Sequence, residues 1–140
     1  MIKRLLSKLI TSRLESFPAV AIFGPRQVGK TTLAKGFSHT YYDLELDQEK
    51  LRLDIQWNDL LESKELIILD EAQNYPEVFP RIRNAIDLER KRNGRFLILG
   101  SVSPGLMKEV SEFLTGRLAI CELPQSMGDP TLRNCLDKLL

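Results

Sequence analysis

Nine residues, Gly24-Pro25-Arg26-Gln27-Val28-Gly29-Lys30-Thr31-Thr32, contain the pattern G-x-x-x-x-G-K-[ST] followed by a second threonine. Each fixed position has a chemical reason. Gly24 lets the chain turn sharply off the apolar run before it. Gly29 keeps side chains clear, so that successive backbone N–H groups can close on anionic oxygens. Those donors and the N-terminus of a following helix carry partial positive charge. Lys30 adds a mobile cation for β- and γ-phosphates, and Thr31 a hydroxyl for Mg2+. Such a match arises by chance in roughly one chain in a few hundred of this length. A plain strand-to-helix turn also gives no reason for Lys30 and Thr31 to arrive together. The phosphate cradle is therefore the better reading.

Three further groups bear on the same chemistry. Leu66-Ile67-Ile68-Leu69-Asp70-Glu71 is an apolar run ending in two carboxylates. Alone, Asp-Glu after such a run reads as a helix cap or a solvated turn. Beside a phosphate loop, Asp70 can hold the Mg2+ coordination sphere and Glu71 can orient and polarise an attacking water. Phe96-Leu97-Ile98-Leu99-Gly100-Ser101 ends in a small hydroxyl able to bond that water or a γ-phosphate; its competing reading is a turn serine before Pro104-Gly105. Arg117, after Gly116, is either a cation for a γ-phosphate, in this subunit or a neighbouring one, or half of a surface ion pair.

These groups need a frame that brings them to one edge. Residues 1–17 place apolar side chains at 2, 5, 6, 9, 10 and 14, a helical period that Pro18 ends. Five short apolar runs follow, at 19–23, 41–46, 66–69, 96–99 and 118–123. The first, third and fourth are near-continuous, as in parallel strands covered on both faces. Helical patterns lie between them at 29–38, 48–63, 79–92 and 106–114. Alternating strands and helices predict a parallel sheet with helices on both faces, joined by right-handed crossovers. In such a sheet ligands bind at the carboxyl ends of the strands, which sets Asp70 beside the phosphate loop.

The totals are those of one globular domain: 140 residues, 43% hydrophobic and 28% charged. A net charge of +1 gives no general pull toward nucleic acid or an anionic membrane. No apolar run approaches the roughly 20 residues that span a bilayer, and Lys8 interrupts the N-terminal run that a signal peptide would need. A cytoplasmic protein is the expectation. Cys121 lies in an apolar run and reads as core, and His39 has no clustered ligand partners. The basic stretch Lys91-Arg92-Asn93-Gly94-Arg95 reads as a helix C-terminus ended by glycine. Residues 125–140 read as a tail with a short helix begun at Asp129-Pro130-Thr131.

Taken in order, "GPRQVGKTTLAK", "YYDLE", "LIILDEAQNYPEVFP", "GRFLILGSVSPGLMKEVSEFLTGR" and "ELP" resemble the AAA-type domain of prokaryotic predicted ATPases that usually carry a C-terminal domain of the DUF4143 type. The resemblance covers about residues 1–124 and rests on several motifs in sequence. It implies a three-layer α/β/α P-loop NTPase fold with a five-stranded parallel sheet in the order 5-1-4-3-2. It implies ATP as ligand, Asp70 as the Mg2+ carboxylate, Glu71 as the catalytic carboxylate, Ser101 as a sensor-like residue and Arg117 as a finger or sensor. Val102 and Phe113 depart from it, standing where a second serine and a small polar residue are common. The likeness stops after Pro124, as expected of a truncated member or fragment.

Three functions compete. The first is an ATPase core, for which Lys30, Thr31, Asp70 and Glu71 are all present. The second is a nucleotide-binding switch or truncated remnant that binds ATP without turnover. The third is a helicase, suggested by "DEAQ", but that needs a second lobe that 140 residues cannot hold. GTP specificity lacks an N-K-x-D motif, and a small-molecule kinase lacks an arginine-rich lid. A homo-oligomer is the partner that an arginine acting between subunits would require.

Overall fold

The computed structural model describes residues 2–25 and 39–123, with side chains for 5–25 and 40–123. The loop from Arg26 to Thr32, the expected helix over 29–38 and the tail over 125–140 lie outside the described residues, as does the His39 side chain.

The order of elements is α1 (Ile2–Ser16), β1 (Ala19–Phe23), β2 (His39–Asp43), α2 (Asp47–Glu62), β3 (Leu66–Asp70), a 3-10 turn (Ala72–Asn74), α3 (Val78–Leu88), β4 (Phe96–Gly100), α4 (Pro104–Leu114) and β5 (Leu118–Glu122). All strand pairings are parallel, and the sheet order is β2-β3-β4-β1-β5. This is the expected 5-1-4-3-2 order.

The near-continuous apolar runs become strands buried along their full length, β1, β3 and β4. Their alternate residues feed two separate cores. Ala19, Ala21, Phe23, Ile67, Leu69, Phe96 and Ile98 pack against α2, α3 and α4 through Leu53, Phe79, Ile82, Ile86 and Leu106. Val20, Ile22, Ile68, Leu97, Leu99 and Cys121 pack against Leu6, Leu9 and Ile10 of α1. The sheet is thus covered on both sides, and Cys121 is a core residue. The indole of Trp57 stacks on Phe96, with ring centroids 6.0 Å apart, and fixes α2 across the sheet.

Several boundaries differ from the sequence expectation. The second strand begins at His39 and ends at Asp43, instead of running from Tyr41 to Leu46. Asp43 ends it: its Oδ1 accepts from the Glu45 N–H at 3.1 Å, and its carbonyl accepts from Leu46 N–H at 3.2 Å, a turn that leads into α2. The last helix starts at Pro104, not Leu106, because Ser103 Oγ caps it by accepting from the Leu106 N–H at 3.1 Å and proline is pre-set for the first turn.

The largest difference is at the basic stretch. Helix α3 ends at Leu88, so Gly94 does not terminate it. Instead Gly94 takes a left-handed φ of 68° and donates its N–H to the Phe17 carbonyl at 3.0 Å, pinning this segment to the end of α1. A Cβ there would lie 3.1 Å from the Leu14 carbonyl oxygen. The cations do sit at helix carboxyl ends, but at those of other elements. Arg92 donates to the carbonyls of Leu61 (3.2 Å) and Ser63 at the end of α2, and Arg95 to that of Ala85 in the last turn of α3. Arg95 is only 3% exposed, and burial pulls its pKa below the ordinary arginine value. Replacing it with Met keeps most of the volume and strands the Ala85 carbonyl. The expected loss is about 1–3 kcal/mol in urea unfolding. A loss below ~0.5 kcal/mol would show that the carbonyl finds another donor.

Candidate functional site

At the carboxyl edge of the sheet the strands end side by side. Phe23 pairs with Gly100, and Asp43 with Asp70. Gly24 donates its N–H to the Gly100 carbonyl at 3.0 Å, and Leu123 to that of Phe23 at 2.7 Å. Strands β1 and β4 are neighbours, yet the chain leaves β1 for β2 at one side of the sheet and leaves β4 for β5 at the other. Neighbouring strands whose connections run in opposite directions across the sheet mark a switch point, the edge at which such sheets take their ligands. Gly24 lies at that edge. A Cβ on it would stand 3.0 Å from Leu123 Cβ and 3.2 Å from the Leu123 carbonyl oxygen, so the crowded exit from β1 suits glycine. Pro25 follows, and Arg26, Gln27, Val28, Gly29, Lys30, Thr31 and Thr32 lie outside the described residues.

Asp70 ends β3 at this edge and is 3% exposed. By strand alternation it belongs to the face that α1 covers. Its Oδ1 accepts from the Glu71 backbone N–H at 2.8 Å, and its Oδ2 accepts from the Tyr41 hydroxyl. The carboxylate is therefore oriented by a donor from β2 and by one from the turn after β3 before any ligand arrives. Tyr41 was not among the sequence candidates. Its signal lay in "YYDLE": Tyr41 pairs with Ile68, two residues before Asp70 and on the same face, and a phenol is long enough to reach forward.

Glu71 is 7% exposed and has φ 53°, ψ 46°, the one left-handed residue other than glycine among those described. That conformation costs a side-chain-bearing residue about 1–2 kcal/mol. Strain of this kind persists where surrounding contacts over-determine it. Here the Glu71 carbonyl accepts from the Asn74 backbone N–H (3.1 Å) and its side-chain amide (3.2 Å), closing the 3-10 turn, while Glu71 Oε2 accepts from Gln73 Nε2 at 2.6 Å. The turn is anchored in turn by Tyr75, whose hydroxyl donates to Asp54 of α2 at 2.7 Å.

Ser101 follows Gly100 directly and is half-buried, next to the strand from which Gly24 departs. Val102 is exposed, and Phe113 packs against the core beneath the Arg83 guanidinium, 5.0 Å from its ring. Arg117 is elsewhere. It precedes Leu118, which pairs with Ala19 at the start of β1. Five residues of strand, about 16 Å, separate it from the Gly24 edge. There it makes a two-pronged ion pair with Asp87 of α3, Nε to Oδ1 at 2.8 Å and Nη2 to Oδ2 at 2.9 Å. The hydrogen bond from Arg117 holds the Asp87 carboxyl below the usual carboxylate range. The structure thus gathers Gly24, Asp70, Glu71 and Ser101 at one edge and leaves Arg117 at the other. Within the subunit, its competing reading as a surface ion pair describes what it does.

A five-stranded parallel sheet in this order, with a glycine exit from β1 and paired carboxylates ending β3, has the P-loop NTPase fold. The chain belongs to the AAA domain family, whose model matches residues 16–127. Two proteins described only as uncharacterized, one from Mycobacterium tuberculosis and one from Mycobacterium bovis, are each 40% identical to it over 114 residues. The match covers 79% of this chain and 26% of each relative, so the chain spans about a quarter of their length. Family membership points to a nucleotide-binding, ATPase-like function. Among the described residues no helix is long and apolar enough to cross a membrane.

Proposed function

We propose that the chain binds Mg·ATP through residues 24–32 and hydrolyses it slowly. The observation that carries this reading is the pair Asp70-Glu71, ending β3 at the switch-point edge from which Gly24 leads into the G-x-x-x-x-G-K-[ST] stretch. The donor set suits Mg2+, a hard cation bound by one or two carboxylates and phosphate oxygens. The carboxylate that the end of β3 offers to such an ion is Asp70, which is buried and oriented by Tyr41. Asp70 and Thr31 would hold the ion, and when bound it neutralises charge on the β- and γ-phosphate oxygens.

The chain's own residues do the rest. Lys30 and the backbone donors of the loop hold the triphosphate. Glu71 orients a water, polarises it and takes its proton as the water oxygen bonds to the γ-phosphorus and the bond to the ADP oxygen breaks. Ser101 hydrogen-bonds the water or the γ-phosphate. Arg117 reaches phosphate only in a neighbouring copy, because in its own subunit it stands at the far edge of the sheet.

A slow rate follows from that last point. A finger arginine can be worth about 10³–10⁵ in phosphoryl transfer, and a monomer whose Arg117 stands at the far edge goes without it. Titration calorimetry should detect ATP binding in the presence of Mg2+. Phosphate release by a verified monomer should be slow and change less than about threefold in Arg117→Ala, and it should accelerate if self-association occurs at high protein concentration. No ATP binding at millimolar nucleotide defeats the proposal. Binding without any release of phosphate favours the switch instead, and fast turnover by a monomer shows that the core is self-sufficient.

A further inference from the structure

We propose that Gln73 is the positioning residue of Glu71, an inference that rests on the hydrolytic reading above. Its amide is held in one orientation at a visible cost. Nε2 donates to Glu71 Oε2 at 2.6 Å, while Oε1 is buried with no hydrogen-bond partner among the described residues. An unsatisfied buried acceptor is destabilising. A core built for stability alone would fill this place with an apolar side chain.

The surroundings are shaped to keep the amide there. Oε1 lies against Gly100, the last residue of β4, where an added Cβ would stand only 2.6 Å from it and 3.0 Å from Leu106 Cδ2. Gly100 has an ordinary backbone conformation, with no positive φ. Its lack of a side chain therefore serves space and not turning. The glycine also lies immediately before Ser101 and pairs with Phe23, the residue before Gly24. Gln73 thus spans from the catalytic carboxylate to the strand end that carries Ser101.

Glu71 needs such a clamp. Its left-handed backbone fixes where the side chain starts but leaves three side-chain torsions to set. A donor on Oε2 restrains the carboxylate plane. Removing that donor leaves the nucleotide contacts intact and misplaces the base, and a small misplacement costs rate and not affinity.

The test uses Gln73→Met, which keeps the length and removes both amide ends, in the full chain. The expected result is ATP affinity within about twofold of the parent and turnover about tenfold lower. In a Glu71→Gln background the same change should have no further effect on turnover. Gly100→Ala supplies an independent variant. Its methyl displaces the Gln73 amide and should also slow turnover, and the effect should vanish in Gln73→Ala, where the methyl meets only the end of the Leu106 side chain. Parent-like turnover in both single variants, or a tenfold loss that persists without the Glu71 carboxylate, overturns the positioning role. Absence of hydrolysis in the parent is a separate result, since it defeats the hydrolytic reading itself.

Discussion

Glu71→Gln should bind ATP as the parent does and release phosphate about 10²–10⁴ times more slowly, the range for loss of a positioned general base. The substitution is close to isosteric. The backbone N–H of residue 71 still donates to Asp70 Oδ1, and its carbonyl still closes the 3-10 turn with Asn74. A glutamine oxygen can accept from Gln73 Nε2 as the carboxylate does. The left-handed conformation is unchanged, so its strain is neither relieved nor increased. What disappears is one anionic oxygen able to take a proton. The measurement pairs calorimetry, for affinity, with single-turnover phosphate release, for chemistry. If the variant hydrolyses at the parent rate, Glu71 is not the base and the chain uses some other group. If it also loses ATP binding, the carboxylate acts on the nucleotide and not on water.

Lys30→Ala should lower ATP affinity by about 10²-fold. A lysine on phosphate contributes charge-assisted contacts, each worth roughly 1.5–3 kcal/mol, and 1.4 kcal/mol is tenfold in affinity. The backbone donors of the loop remain, so binding weakens without vanishing. Adenosine, which has no phosphate, should bind the variant and the parent equally. Equal ATP affinity of the two proteins by calorimetry would falsify the assignment of residues 24–32 as a phosphate cradle. Arginine at position 30 is not a neutral control, because the guanidinium is a planar fork and not a compact point charge.

Much of this molecule could be read in one dimension. The continuous apolar runs of β1, β3 and β4 mark strands covered on both faces, since a parallel sheet between helices leaves no wet side. The helical periods between them force crossovers, and crossovers force parallel pairing. The G-x-x-x-x-G-K-[ST] stretch and the Asp-Glu pair are also local signals, because the chemistry proposed for them needs fixed spacings along the chain. Cys121 was legible as core because it lies in an apolar run.

Other features depend on residues far apart in sequence. The end of β2 at Asp43 depends on a side chain folding back on its own turn, which an apolar pattern running on to Leu46 conceals. The basic stretch looked like a helix end because Gly94 and its cations are adjacent in sequence. Only the packed structure shows Arg92 bonded to α2, Arg95 to α3 and Gly94 to α1. Tyr41 and Gln73 entered the site through contacts with Asp70 and Glu71 that require strand register and a left-handed turn to exist first.

Arg117 is the sharpest case. Sequence order puts it within reach of any site, but parallel pairing of Leu118 with Ala19 sends it to the opposite edge of the sheet from Gly24. Residue types and spacing determined the chemistry available to this chain and the layers that carry it. Which side chains face which edge, and which carbonyls the buried cations satisfy, was decided by the register of five strands, because register alone converts neighbours in sequence into neighbours in space.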